Sequence, residues 1–171
     1  HTGFVYEGQV ERANFDDSQL GDGSLVSDGW RVRQEVGLNG AISPAVSVTG
    51  MVGYSAGFFD TGSDYGVGRD ALTARIEGRF EPMQNLTLKL GYQRRFNPSF
   101  IGNFARHDRM YLGGQLVLGG VFMTGIDFAV TRSISGAALA ADGTPLDPNH
   151  LAREAWRLTT DAYAEYRATQ W

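Results

Sequence analysis

Cysteine is missing from all 171 residues, which excludes disulfides, thiolate catalysis and cysteine-ligated zinc. That absence is compatible with an oxidising periplasm or a cell surface. Histidine is nearly as scarce. His1, His107 and His150 are the whole complement; no pair has ligand spacing on one face, and none lies beside a serine in a nucleophile motif. No apolar run approaches the ~18 residues a spanning helix needs, so a helical membrane anchor is excluded. Basic charge is not in excess either: 15 Lys and Arg stand against 19 Asp and Glu, a formal net charge of −4, leaving no footprint for nucleic acid. Before the strand pattern that begins at Phe4 there is no charged n-region and no apolar h-region. The expectation is that a leader has been removed or that the chain is a piece of something longer.

What the chain has is alternation. Leu72, Ala74, Ile76, Gly78 and Phe80 alternate with Thr73, Arg75, Glu77 and Arg79. Trp30, Val32, Val36, Leu38 and Ile42 oppose Arg31, Arg33, Glu35 and Asn39, and Leu86, Leu88, Leu90 and Tyr92 oppose Thr87, Lys89, Gln93 and Arg95. Side chains of a strand point to alternate faces, and about ten residues cross a hydrocarbon layer when tilted. A soluble sandwich alternates too, but single charges among Ser, Thr and Lys satisfy its wet face. Here Arg and Glu stand side by side on strand after strand, which suits mutual pairing inside a lumen. A bilayer also requires every backbone amide to find a neighbouring strand, which a closed barrel provides. The expectation is an all-β, antiparallel transmembrane β-barrel. The length allows one domain, residues 1–171, of about eight strands, or part of a larger barrel. Aromatic residues at 12% and 23 glycines fit interfacial girdles and close-packed strand positions.

Along the chain, strands are expected at Phe4 to Phe15, Trp30 to Ser43, Val46 to Asp60, Arg69 to Glu81, Leu86 to Phe96, His107 to Leu118 and from Phe122 onward. Pro44-Ala45 and Pro82 to Asn85 read as short turns, and Gly119-Gly120 as a turn that admits positive φ. Long polar stretches at 16–29, 61–68, 97–106 and 135–152 alternate with these, giving an up-and-down meander with long outer loops and short periplasmic turns. From Arg153 to Arg167 two periods compete. Trp156, Leu158, Thr160, Ala162, Ala164 and Tyr166 alternate as in a strand, while Leu151, Ala155, Leu158, Ala162 and Tyr166 have helical spacing behind an Asp147-Pro148 cap. The strand is preferred because its inward set again mixes acid and base and because bacterial barrels have an even strand count.

From Gly91 to Gly120 the chain reads GYQRRFNPSFIGNFARHDRMYLGGQLVLGG. Arg94-Arg95-Phe96 at a strand end, Pro98-Ser99-Phe100, Gly102-Asn103-Phe104 and Asp108-Arg109 leading to Tyr111-Leu112-Gly113 resemble a stretch of bacterial outer-membrane β-barrels. The likeness is to the β-barrel porins encoded with exopolysaccharide export systems. It implies the outer membrane of a Gram-negative cell, contact with outer-membrane lipid and lipopolysaccharide, and polysaccharide or other envelope proteins as candidate partners. In such proteins a segment like Tyr166 to Trp171 leads into a periplasmic turn and a further strand. That implies a barrel wider than eight strands.

The largest constellation is the inward set: Glu7, Glu11, Arg31, Arg33, Glu35, Arg75, Glu77, Arg79, Lys89, Arg95, Arg109, Asp127, Asp161, Glu165 and Arg167. In an eight-stranded barrel these charges fill the interior and pair; in a wider one they line water and set selectivity. Arg75 and Arg79 are expected to find Glu77, Glu35 or Glu165, since an unpaired buried charge is costly. His107-Asp108 offers an acid–base pair near a strand end, with a hydrated rim as the plainer reading. Asp16, Asp17, Asp22 and Asp28 lack the spacing of a calcium loop and suit a solvated loop. Asn85-Leu86-Thr87 matches a glycosylation sequon that a bacterial outer-membrane barrel does not use. No metal, cofactor or enzymatic step is expected. The function expected is a passive pore or export conduit with polysaccharide as candidate cargo, or else a small closed barrel serving as scaffold or surface-recognition module through its loops.

Overall fold

Apolar residues at every second position, bounded by Pro44, Pro82 and Gly119-Gly120, give eight strands in the computed structural model. They are β1 (Thr2–Ala13), β2 (Gly29–Ser43), β3 (Val46–Phe59), β4 (Arg69–Met83), β5 (Leu86–Asn97), β6 (Ala105–Leu118), β7 (Phe122–Gly136) and β8 (Ala152–Tyr166). The structure describes residues 2–13, 29–59, 69–97, 105–136 and 152–167, and among these there is no helix. The contested last segment is therefore a strand. The aspartates at 16, 17, 22 and 28, His1, His150 and the loop motifs at 98–104 lie outside the described residues.

The strands form a single antiparallel sheet in chain order, β1 to β8, each paired with the next. Short connections close three hairpins at one end. Gly119 and Gly120 have φ of +59° and +73°, the left-handed conformations that a tight hairpin demands and that glycine adopts without penalty. Register shifts fall between Ala41 and Ser43 and between Phe80 and Met83, where Pro82 occupies a bulge and its missing N–H removes no regular ladder bond. Backbone bonds knit this end further: Glu81 N donates to Ala45 O at 2.7 Å, Val117 N to Asn85 O at 2.8 Å and Arg167 N to Val121 O at 2.7 Å.

The sheet separates its faces by parity. Phe4, Tyr6, Val10, Leu38, Val52, Ile76, Leu90, Leu112, Phe128 and Leu158, all even-numbered, are exposed. Met51, Ser55, Thr73, Ala105 and Ala129, all odd-numbered, are buried, and Phe96 is the one buried residue of even number among those described. The sheet curls around its odd-numbered face, for Arg31 on β2 reaches Asn97 on β5 with a 2.9 Å hydrogen bond from Nη1 to Oδ1. Glycine permits neighbouring backbones to approach closely within this curl. A Cβ on Gly37 would lie 2.1 Å from the carbonyl oxygen of Gly50, and one on Gly53 the same distance from that of Gln34.

Of the two alternatives, an eight-stranded closed barrel is not what the strands form: among the described residues β1 pairs only with β2 and β8 only with β7, so each keeps one edge without a strand, as in part of a larger sheet. Among the described residues no helix is long and apolar enough to cross a membrane, which says nothing of crossing by strands.

Candidate functional site

Every member of the inward charged set has an odd number, and by parity those within the strands lie on the inner side of the curl, Arg167 following the end of β8. Register decides which of them meet. Glu7 and Glu11 on β1 stand beside Arg33 and Arg31 on β2; Arg33 Nη2 reaches Glu7 Oε1 at 2.7 Å, and Arg31 pairs with Glu11 while also holding Asn97. Glu35 directly faces Glu7 across the ladder and is itself buried, its stem packed over Gly53.

Glycine gaps allow pairs to form across an intervening strand. Lys89, Gly113 and Asp127 occupy one register row on β5, β6 and β7, and Lys89 Nζ lies 2.7 Å from Asp127 Oδ1. A Cβ at Gly113 would fall 2.1 Å from that oxygen. Glu77, Gly91 and Tyr111 repeat the arrangement one row further along, where the Tyr111 hydroxyl donates to Glu77 across the bare Gly91. Arg109 then stacks over the Tyr111 ring at 5.6 Å.

The expected partners of two arginines are corrected here. Glu77 accepts from the Tyr111 hydroxyl, and Arg75 forms no ion pair among the described residues and has an unbonded Nε. Arg79 lies 4.0 Å from Glu81, beside the short turn, a loose contact at an exposed site. Arg95, Asp161 and Arg157 likewise form no ion pair among the described residues, and Arg167 Nε meets Glu165 Oε1 at 3.0 Å. Arg75, Gln93, Arg109, Thr131 and Arg157 share one register row, placing an arginine on β4, β6 and β8 at the same level. This row is a polar band with cationic points on every second strand.

His107 and Asp108 do not form an acid–base pair. Consecutive residues of a strand point to opposite faces, and these two do. His107 Nδ1 lies 2.9 Å from Ser133 Oγ on β7, a cross-strand neighbour visible only once register is known. Asp108 faces outward, where it cannot orient that ring. Among the described residues no three metal-ligating side chains converge.

A second polar group lies on the largely apolar outer face, near the ends of β5 to β8 that lead to the long connections. Asp108 Oδ1 accepts from Arg94 Nε at 2.6 Å and from the Tyr92 hydroxyl at 2.7 Å, while Arg106 Nε lies 3.4 Å from Oδ2. Arg132 grips Glu154 with two bonds of 3.0 and 2.9 Å, and Trp156 Nε1 donates to the same carboxylate at 2.9 Å. Sequence reading left Arg94, Arg106, Arg132 and Glu154 out. The signal that marks them is charge at the parity that elsewhere carries Leu, Ile and Phe. Compared with protein-family models, with curated proteins and with solved structures, the chain finds no match.

Proposed function

We propose that this chain forms the wall of an outer-membrane β-barrel that acts as a passive pore or export conduit, with a charged polymer such as polysaccharide as candidate cargo. The carrying observation is the separation of faces, with exposed apolar side chains outside on all eight strands and, inside, charge of mixed sign carried by every strand but the small-residue β3. A water-soluble sheet with one wet face would bury the apolar side against a second layer; here that side is the convex, exposed one. Soluble monomers rarely leave so many large apolar side chains exposed on one face. The position of the outer polar boundary adds support. On β1 and β2 it is marked by Arg12 stacked over Trp30 at 5.3 Å. On β5 to β8 it is marked by Arg94, Asp108, Arg132 and Trp156, whose register row meets β2 at Val36, six residues beyond Trp30. A boundary that drifts along the strands from one side of a sheet to the other is what strand tilt against a flat membrane produces.

The unpaired edges fit a wider barrel. In lipid each unsatisfied backbone group costs several kcal/mol, so β1 and β8 take further antiparallel strands as neighbours and the charged face lines water instead of filling a narrow core. The arginine row then favours anionic cargo. Planar-bilayer recording of the full protein is expected to give discrete conductance steps that prefer anions. Stable insertion with no conductance would contradict the pore and leave a membrane scaffold.

A further inference from the structure

The outer-face charges have no use in a conduit, since they point away from its interior. They also stand where an apolar surface meets its boundary. We infer that Arg94 and Arg106 form a docking site for the phosphate of a phosphorylated glycolipid in the leaflet at the long-connection end, a proposal that rests on the outer face being the lipid face. Two guanidinium groups, those of Arg94 and Arg106, share the single carboxylate of Asp108 while Arg132 is neutralised by Glu154, so the cluster carries one excess positive charge.

Geometry favours an anion between the first two. The Asp108 side chain is only 13% exposed and binds Arg94 through Nε alone, at 2.6 Å, and lies 3.4 Å from Arg106 Nε. The Arg94 and Arg106 side chains are 38% and 37% exposed, and no hydrogen bond from their terminal nitrogens is found among the described residues. Asp108 thus acts as a post that spaces two arginines and leaves their forks for an outside acceptor, the bidentate geometry that phosphate oxygens match. Beneath the cluster, Leu90, Met110, Leu112, Val130 and Leu158 offer an exposed apolar slope for acyl chains. Tyr92 and Trp156 sit at the junction, as amphipathic rings do at membrane interfaces. Charge above and hydrocarbon below together select a lipid and not a free anion.

The test places the full protein in nanodiscs of phosphatidylcholine mixed with diphosphoryl lipid A, or with the same lipid stripped of its phosphates. Lipid retained after transfer to mild detergent is counted by native mass spectrometry. Retention of diphosphoryl lipid A about tenfold over the stripped form is expected, falling to about the stripped level in the Arg94→Gln/Arg106→Gln variant. The Arg94→Lys/Arg106→Lys variant keeps the charge without the fork and is expected to recover part of the retention. Unchanged retention of diphosphoryl lipid A in the Arg94→Gln/Arg106→Gln variant would overturn the site. Equal retention of both lipids, or displacement by millimolar inorganic phosphate, would overturn it too. Insertion is read separately, by protease protection in pure phosphatidylcholine nanodiscs. Failure there would overturn the membrane reading together with the site, whereas insertion with unselective retention would overturn the site alone.

Discussion

Glycine at the inner face is a local device with two distinct uses. At Gly37 and Gly53 the backbone of the neighbouring strand comes too close for any side chain, and at Gly91 and Gly113 the missing side chain leaves a path for a polar pair two strands apart. Gly53→Ala is expected to destabilise the fold by about 1–3 kcal/mol, because the obstructing atom is a carbonyl oxygen that cannot move without uncurling the sheet. Gly50 has nothing within 4 Å of a built Cβ, so Gly50→Ala is expected to be neutral or to stabilise by up to about 1 kcal/mol by restricting the unfolded chain. Urea titration of the two variants in lipid vesicles measures the contrast. Equal effects at both positions would show that curl does not set the cost. On the other face, Leu90 and Ile76 are more than half exposed. Arginine at either is expected to cost about 2–4 kcal/mol if it lies near a bilayer midplane, and arginine at Thr87 much less. The same titration checks this, equal penalties being the contrary result.

At the scale of strands, period two was enough to locate all eight elements, because a residue's face follows from its number alone. The preference for a strand at Ala152–Tyr166 over a helix also follows from parity, since a strand there puts Arg157, Asp161 and Glu165 on the same side as every other charge of the inward set. Strand ends near the long connections were less legible: β1 begins at Thr2 where Phe4 was expected, its expected end at Phe15 lying outside the described residues, and β6 already includes Ala105 and Arg106 where a start at His107 was expected. No turn residue pins those ends, whereas Pro44 and Gly119-Gly120 pin the others. Partners across strands were not legible either. Tyr111 reaches Glu77 because register aligns both with Gly91, and register depends on pairing that no single strand encodes. The arginine row on β4, β6 and β8 emerges only from that alignment. In a conducting pore, Arg109→Glu is expected to lower anion preference several-fold in reversal-potential measurements. An unchanged preference would remove the row from the conduction path.

For the whole molecule, closure is what parity cannot supply. A strand's sequence fixes which side faces outward, yet whether the first and last strands meet depends on how many strands share the curl, and here β1 and β8 stand apart. The outer charged cluster was hidden for a related reason, since each of its members is a single exception to an apolar pattern and only the assembled sheet brings Arg94, Asp108, Arg132 and Trp156 into one row. The absence of cysteine makes the decisive measurement direct, because one introduced thiol is unique. Nitroxide labels at successive residues from 86 to 96, with the full protein in lipid vesicles, report exposure to oxygen, which concentrates in hydrocarbon, and to a water-soluble nickel chelate. A lipid-facing outer surface predicts oxygen accessibility at Leu88 and Leu90 and low accessibility at Thr87, Lys89 and Gly91. Chelate accessibility would follow the opposite phase. Chelate access at the even-numbered positions equal to that at the odd would contradict a sheet embedded in the membrane.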